Sequence, residues 1–332
     1  MKIAILIPAY NAEKYVDDCL ASLRAQTHAD WVAFVMNDGS KDGTLAAIER
    51  IAAEEPRIRV WSQENRGLVA AMNALLEKLD DSIDLVSFVD IDDFIHPQML
   101  ETLASALTRH GADVAECQIR SVPEDAHPAE TFDAAASGAE RVIDDMSVYW
   151  LKSTAPKGWI NKQNKIYRRS AIGAVRFQPT LSYEDDYFFA CEVNAQIRRK
   201  VLLDAKLYAY RNNPNSATSS IPFRKYVGAT LERIRLSCAV FLNAGRVPSA
   251  FETAYRAELA KDAYRMCIRK NLKKNHDGRL RRELFLAAGR FFAELERDYG
   301  FSPEGLNPVQ KALYAACLSG RYCTAMMLVL LT

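Results

Sequence analysis

Three aspartates follow one short apolar segment of the sequence and could bind a divalent cation. The segment is Leu85–Val89, and Asp90, Asp92 and Asp93 come directly after it. In an extended backbone Asp90 and Asp92 point to the same side, because successive side chains alternate. Mg²⁺ and Mn²⁺ are commonly held by one or two carboxylates, with phosphate oxygens as further ligands. The cluster therefore predicts metal-assisted phosphate chemistry; the alternative is that Asp92 or Asp93 caps a helix beginning near Pro97.

A second acidic cluster lies far along the chain from the first. Glu184, Asp185 and Asp186 stand at the predicted start of a helix, between Tyr183 and Phe188. If an acceptor hydroxyl attacks the substrate held by the metal, a carboxylate can take its proton as a general base. Such a base must lie across the substrate from the metal, so it should come from a distant segment. Aromatic neighbours indicate a partly buried setting, which raises a carboxyl pKa and suits a base. The alternative is an exposed helix start whose acids complement the helix dipole.

Further polar segments follow other apolar runs in the first two-thirds of the chain. They are PAYN (residues 8–11), NDGSKDGT (37–44), ENRGLVAAMN (64–73) and YRNNPNSAT (210–218). Alternating strand and helix patterns over the first 120 residues predict an α/β fold with a doubly wound, mostly parallel sheet. Ligands of such sheets bind beyond the carboxyl ends of the strands, so we expect these segments to form one site.

Together with VDIDDF (89–94) and YEDDYF (183–188), and in this order, these segments resemble the family 2 glycosyltransferases of the GT-A fold. The resemblance covers residues 1 to about 220. It implies a nucleotide-diphospho-sugar transferase of the hexosyltransferase class, with Mn²⁺ or Mg²⁺ as cofactor. The donor diphosphate is a leaving group whose charge the metal neutralises as the glycosidic bond breaks.

The resemblance also implies a role for single residues. Asp92 is the metal ligand, and Asp90 contacts the ribose or a metal-bound water. Asp185 is the catalytic base of the family's ED motif, and Glu184, Asp186 and Trp159 contact the acceptor or the sugar. The residues implied in binding the nucleotide-sugar are Pro8, Tyr10, Asn11, Asp38, Asn65, Arg66, Gly67, Asp90, Ile91 and Arg211.

Several of these positions have another interpretation or depart from the family. Asp38 lies in an Asn-Asp-Gly-Ser segment that is also ideal for an Asx turn, and a turn would still present the carboxylate. Trp159 is equally well explained as a core residue. Met72 stands where the family often has Arg, which leaves the nucleotide base open. The segment 211–213 has Asn where many relatives have a metal-binding His.

The charge distribution divides the 332-residue chain into two predicted domains. Residues 1–221 hold 24 Lys/Arg against 32 Asp/Glu, whereas residues 222–332 hold 19 against 10. We expect a GT-A catalytic domain followed by a basic α-helical C-terminal region. That region is either a helical subdomain with a solvated basic face or a surface that docks on anionic lipid. No nucleic-acid recognition motif accompanies its basic residues.

The sequence predicts a cytoplasmic enzyme, peripheral on the inner face of the membrane. Seven scattered cysteines without a CxxC pair are typical of a reducing compartment, and the apolar start is too short for a signal segment. We expect inverting, metal-dependent transfer of a hexose or N-acetylhexosamine from a UDP-sugar to a cell-surface glycan, either a polysaccharide, a lipopolysaccharide or a lipid-linked acceptor. The alternative is a non-catalytic sugar-nucleotide-binding or scaffold protein with a degenerate site. The absence of GxGxxG argues against a dinucleotide-dependent oxidoreductase.

Overall fold

The computed structural model of the chain describes residues 1–132, 138–144, 161–178, 185–214, 278–299 and 308–320. These residues fall into two compact units. The first contains the sheet and the helices connected to it, and the second contains two helices beyond residue 277. Residue 221 lies outside the described residues, so the division into residues 1–221 and 222–332 stays a prediction.

Four parallel strands form the N-terminal half of the sheet. They are β1 (Ile3–Ala9), β2 (Trp31–Asp38), β3 (Ile58–Gln63) and β4 (Leu85–Phe88), in the order β3-β2-β1-β4. The connections between them carry α1 (Val16–Arg24), α2 (Thr44–Glu54) and α3 (Leu68–Leu76). The predicted alternation of strands and helices is confirmed in this half.

Burial on both faces explains why β1 is a continuous apolar run. Every residue of β1 is buried. Its alternate residues enter two different apolar clusters, with Ile3, Ile5 and Ile7 in one and Ala4 and Leu6 in the other. A strand covered on both faces has no solvated side, so neither face can be polar.

The second half of the sheet mixes strand directions. Beyond β4 lie β8 (Lys165–Arg168), β6 (Val114–Val122) and β9 (Lys200–Arg211). Strand β8 is antiparallel to both β4 and β6, whereas β6 and β9 are parallel. Two short strands, β5 (Phe94–Ile95) and β7 (Glu140–Ile143), pair antiparallel with β9. The mostly parallel sheet is therefore confirmed, with β8 interrupting the parallel order.

The remaining helices of the first unit are α4 (Met99–Arg109), α5 (Pro128–Thr131), α6 (Arg169–Ile172) and α7 (Asp185–Asn194). Helix α5 and strand β7 lie within residues 121–145, where the Ala-, Asp- and Pro-rich composition predicts only irregular chain. Both elements are short, and β7 is fixed by its pairing with the distant β9 rather than by a local pattern.

The second unit contains α8 (Gly278–Tyr299) and α9 (Pro308–Leu318), which confirms helices in the C-terminal region. Phe285 and Phe292 of α8 and Leu313 of α9 are buried. A Cβ atom at Gly289 would lie 2.2 Å from the carbonyl oxygen of Cys317, so glycine is required where the two helices approach. Among the described residues, no helix has the length and apolar character needed to cross a membrane.

Candidate active site

The carboxyl ends of β1, β2 and β4 meet at one edge of the sheet. Ala9 at the end of β1 pairs with Asn37, and Leu6 pairs with Phe88 at the end of β4. The segments PAYN, NDGS and VDIDD follow these strand ends. The sheet therefore brings the predicted nucleotide segments and the predicted metal segment to the same edge.

Asn11 joins the loop after β1 to the loop after β2. Its backbone N–H donates to the Ser40 hydroxyl at 3.0 Å, and its side-chain oxygen accepts from the Lys41 N–H at 2.8 Å. The neighbouring Tyr10 side chain is 47% exposed, so its ring is available to a ligand, whereas Pro8 is buried within β1. These contacts fix the rim of the site on the β1 and β2 side.

Asp38 holds the loop that leads into α3. Its carboxylate accepts hydrogen bonds from the Gln63 side chain at 2.7 Å and from the N–H groups of Arg66 at 2.9 Å and Gly67 at 2.8 Å. A carboxylate has about four acceptor positions, and three are used here. A Cβ atom at Gly39, where φ is +70°, would lie 2.6 Å from the Asn65 nitrogen. Asp38 thus positions residues 65–67, and its contact with a nucleotide base stays a prediction.

Two residues outside the predicted site set bind Asp90. The Lys162 ammonium lies 3.0 Å from Oδ1 of Asp90, and the Gln163 side chain donates to Oδ2 at 2.6 Å. The Asp90 N–H donates to the Tyr208 hydroxyl at 3.2 Å. Local sequence gives no signal for Lys162 or Gln163, because the pairing of β8 with β4 is what brings them to Asp90.

Asp93 is a buried carboxyl that ties β9 to the end of β4. It accepts from the Tyr208 hydroxyl at 2.7 Å and from the Arg211 N–H at 2.8 Å, and it is 1% exposed. Burial raises the pKa of Asp93 well above its usual range, and the nearby Asp92 and Asp90 carboxylates raise it further.

Asp92 lies between Asp90 and Asp93 in the sequence, and fewer hydrogen bonds to its carboxylate are found among the described residues. Its carboxylate accepts from the Asn213 side chain at 3.1 Å. Burial raises its pKa, and the Asp90 charge adds to the effect. Helix α4 begins at Met99 with Gln98 as its N-cap, so Asp92 and Asp93 do not cap it. The adjacent Ile91 side chain is buried in the apolar core.

Arg211 is buried and clamps the loops around the aspartates. Its guanidinium donates to the carbonyls of Asp92 at 2.8 Å, Glu124 at 2.6 Å and Ala126 at 2.7 Å, and to the Asp18 carboxylate at 2.9 Å. These contacts use four of the five N–H groups of the side chain. The predicted bidentate contact with phosphate stays a prediction, and the structure adds a positioning role that the sequence did not indicate.

The second acidic cluster begins α7, as predicted. Asp185 is its first residue, but the Asp185 side chain, Glu184 and Trp159 lie outside the described part of the chain. The Asp186 carboxylate lies 3.3 Å from the Lys162 ammonium. Burial raises the pKa of Asp186, and the Lys162 charge opposes the rise. Lys162 therefore links α7 to the end of β4.

Aromatic packing and one amide fix α7 against the rest of the unit. The ring of Phe189 in α7 stacks on Phe177 with centroids 4.3 Å apart. Asn73 of α3 binds the Phe177 backbone twice, donating to its carbonyl and accepting from its N–H, both at 2.9 Å. The helix after the predicted nucleotide loop and the helix that begins at Asp185 are thus connected through one residue.

The aspartates after β4 fit a divalent cation. The charge of Asp90 raises the pKa of Asp92, and a cation bound between them would relieve this repulsion. Within the described ranges no three His, Cys, Asp or Glu side chains converge on one point. Two carboxylates are the number usual for Mg²⁺ when phosphates complete its coordination, so Asp90 and Asp92 would suffice to hold the cation.

Polar loops and a carboxylate cluster beyond the carboxyl ends of a mostly parallel sheet form the ligand-binding edge of an α/β protein, and here the match is to the GT-A transferases. Residues 4–202 match the family described as "Glycosyl transferase family 2", and the chain belongs to this family of enzymes.

The chain is similar to several glycosyltransferases from bacteria. Glycosyltransferase GlyA of Streptococcus pneumoniae serotype 4 is 29% identical over 262 residues, which span 78% of this chain and 37% of GlyA. Uncharacterized glycosyltransferase EpsJ of Bacillus subtilis (strain 168) is 27% identical over 73% of this chain and 70% of its own length. The fold is similar to that in the crystal structure of S. aureus TarS 1-349 in complex with UDP-GlcNAc, with a TM-score of 0.71. The match covers 99% of this chain and 90% of that chain, at 18% sequence identity. This likeness confirms the GT-A fold.

Proposed function

We propose that this glycosyltransferase is inverting and metal-dependent and transfers a hexose or an N-acetylhexosamine from a UDP-sugar to a hydroxyl of a cell-surface glycan. The observation that carries the proposal is the carboxylate cluster after β4, which Lys162 connects to the start of α7. A UDP-sugar donor is supported by the fold shared with TarS, whose structure contains UDP-GlcNAc. The acceptor is assigned as a polysaccharide, lipopolysaccharide or lipid-linked glycan from the family resemblance.

The carboxylates after β4 would hold the cation. Asp92, whose carboxylate has one hydrogen bond from Asn213, is the proposed ligand, with Asp90 as its partner. Mn²⁺ or Mg²⁺ bound there would supply charge neutralisation for the departing diphosphate. The chain's own contribution is to hold the two carboxylates at the strand end, through Arg211, Tyr208 and Gln163.

The proposed base is Asp185. The acceptor hydroxyl loses its proton to the Asp185 carboxylate while its oxygen bonds to the anomeric carbon. The bond between that carbon and the diphosphate oxygen breaks on the opposite side, so the configuration inverts. A start of α7 that is fixed by the stacking of Phe189 on Phe177 suits this role, because a base must keep a constant position.

We also propose a cytoplasmic location in a bacterium, with the glycan assembled on the inner face of the membrane. The excess of basic residues in 222–332 supports contact with an anionic surface. Several of these residues, such as Lys270, Lys273 and Lys274, lie outside the described part of the chain.

The test compares Asp185→Asn with Asp186→Asn. UDP release from UDP-hexoses and UDP-N-acetylhexosamines is measured with Mn²⁺, and donor binding is measured by calorimetry. Asp185→Asn should keep donor affinity near that of the wild type and lower turnover by at least ~10²-fold. Full turnover in Asp185→Asn would contradict the base assignment, and loss of turnover only in Asp186→Asn would transfer the role to Asp186. Binding of GDP- or TDP-sugars alone would contradict the UDP assignment.

A further inference from the structure

One buried ammonium is shared between the two acidic clusters of the site. The Lys162 nitrogen lies 3.0 Å from Asp90 and 3.3 Å from Asp186, and the side chain is 3% exposed. The Tyr167 hydroxyl donates to the Lys162 carbonyl at 3.1 Å, which fixes the backbone from which the side chain extends. The proposed reaction assigns no role to this lysine.

The Lys162 ammonium is paired with the Asp90 carboxylate, which is also a proposed ligand of the cation. Its ammonium is close to both Asp90 oxygens, at 3.0 Å from Oδ1 and 3.3 Å from Oδ2, and Gln163 also binds Oδ2. An ammonium and a divalent cation repel each other at short range, and burial weakens the screening by water. The cation therefore cannot bind Asp90 at full strength while Lys162 remains paired with it.

Asp186 gives Lys162 a second anionic partner. Its carboxylate lies on α7, one residue after Asp185, and it accepts from the Lys162 ammonium at 3.5 Å through Oδ2. One oxygen of Asp186 is buried without a hydrogen bond among the described residues, although the Lys162 ammonium is 3.3 Å away. A small rotation of the lysine stem toward Asp186 would complete that hydrogen bond.

We propose that Lys162 is a positioning residue that competes with the divalent cation for Asp90, so that cation binding leaves Lys162 paired with Asp186. This inference rests on the proposed metal dependence. Binding of the cation at the end of β4 would thereby be coupled to the position of α7, the helix that begins at Asp185. Metal binding would be weaker than the two carboxylates alone allow, and the first turn of α7 would be held more firmly once metal and donor are present.

The test is a titration of Mn²⁺ without donor, followed by the loss of the electron paramagnetic resonance signal of the free ion. Lys162→Met removes the ammonium but keeps an apolar stem, and it should tighten Mn²⁺ binding by about tenfold. Lys162→Arg keeps the charge and should bind Mn²⁺ as the wild type does. Gln163→Leu removes the neutral contact with Asp90 and should not tighten binding. Circular dichroism checks that each variant is folded, and Lys162→Gln replaces the Met variant if that one unfolds.

Asp92→Asn separates failure of this inference from failure of the proposed function. If Asp92→Asn loses Mn²⁺ binding while Lys162→Met binds as the wild type does or more weakly, the metal site stands and the competition is overturned. If neither the wild type nor Lys162→Met binds Mn²⁺, without UDP or with it, the metal dependence is wrong and the competition falls with it. Tighter binding in Lys162→Met than in Lys162→Arg supports the competition.

Discussion

At the scale of single residues, the charged groups of the site are bound by other groups of the chain. Asp93 is held by Tyr208 and by the backbone of Arg211, and Asp90 is held by Lys162 and Gln163. Because buried charges are costly without partners, each carboxylate that the reaction needs must be balanced within the fold. The positions of the aspartates therefore depend on Tyr208, Lys162 and Gln163, which lie outside the predicted site set.

Arg211→Lys is expected to destabilise the protein. The Arg211 guanidinium donates to the carbonyls of Asp92, Glu124 and Ala126 at once. The lysine side chain has a single nitrogen and cannot reach all three. Leaving one or two of these groups without a partner should lower the free energy of unfolding by about 2–4 kcal/mol. Guanidinium chloride unfolding measures the change. Unchanged stability with weaker UDP binding would instead favour a direct phosphate contact.

A buried Lys-Glu-Lys cluster makes stability depend on pH. Glu116 of β6 lies 2.5 Å from the Lys200 ammonium and 3.6 Å from that of Lys165. Burial lowers the pKa of Lys165 to about 8, and Glu116 opposes the shift. The unfolded chain keeps this lysine protonated to a higher pH, so the folded state gains stability as pH rises above 8.

Comparison with Lys165→Met isolates this effect from other titrations. Between about pH 7 and about pH 9.5, the free energy of unfolding of the wild type should rise by about 1–2 kcal/mol relative to that of Lys165→Met. Denaturant unfolding at the two pH values measures it. Lys165→Arg, which stays charged throughout, should lack the increase that the wild type shows. A wild-type-to-Met difference that does not change with pH would show that Lys165 does not titrate in this range.

At the scale of elements, α3 and α7 are connected through Asn73 and Phe177. Asn73 lies in the same predicted segment as the loop residues 65–67, and its side chain binds the backbone of Phe177. The stacking of Phe177 on Phe189 then carries this contact to α7. Helix α3, after the proposed nucleotide loop, and helix α7, which begins at the proposed base, are therefore fixed to each other.

Asn73→Ala is expected to affect turnover more than donor binding. Loss of two hydrogen bonds to one backbone residue should lower the free energy of unfolding by about 1–3 kcal/mol. Because Phe177 would then be free to shift under α7, kcat should fall while the affinity for UDP, measured by calorimetry, stays near that of the wild type. A fall in UDP affinity with unchanged kcat would show that Asn73 serves the nucleotide loop instead.

The first half of the sheet could be predicted from sequence, whereas part of the second half could not. Strands β1 to β4 are apolar runs bounded by turn residues, and buried parallel strands need no other signal. Strand β5 has only two residues, which are too few to form a pattern, and β7 has three exposed residues among its four, so no buried face marks it. The contacts of Lys162 and Arg211 were also missed, because both depend on antiparallel or long-range pairing that local sequence does not encode.

At the scale of the whole molecule, the chain combines an acidic N-terminal part with a basic C-terminal part. The apolar side chains Phe285, Phe291 and Phe292 of α8 are buried, and Phe292 packs on Tyr314 of α9 with ring centroids 4.6 Å apart. These rings are therefore packed inside the protein and are not exposed to a membrane surface. The membrane contact proposed for the C-terminal region is therefore one of charge, without insertion of these three side chains.

Liposome co-sedimentation tests this electrostatic contact. Vesicles with anionic lipid should bind the protein at low salt and release it at high salt, because each basic side chain near the surface contributes only ~1 kcal/mol. A variant with Lys270, Lys273 and Lys274 changed to Glu should bind less at the same salt concentration. Binding that is absent, or that ignores lipid charge and salt, would leave the C-terminal region as a structural or oligomerisation element.

We propose that the carboxylates after β4 bind a nucleotide diphosphate through a divalent cation. Calorimetric titration of UDP into wild-type protein and into Asp92→Asn, each with Mn²⁺ and with chelator, tests it most directly. We expect wild-type affinity to fall at least ~10-fold with chelator, and Asp92→Asn to show the weaker affinity under both conditions. UDP affinity that is equal in all four titrations would contradict the account.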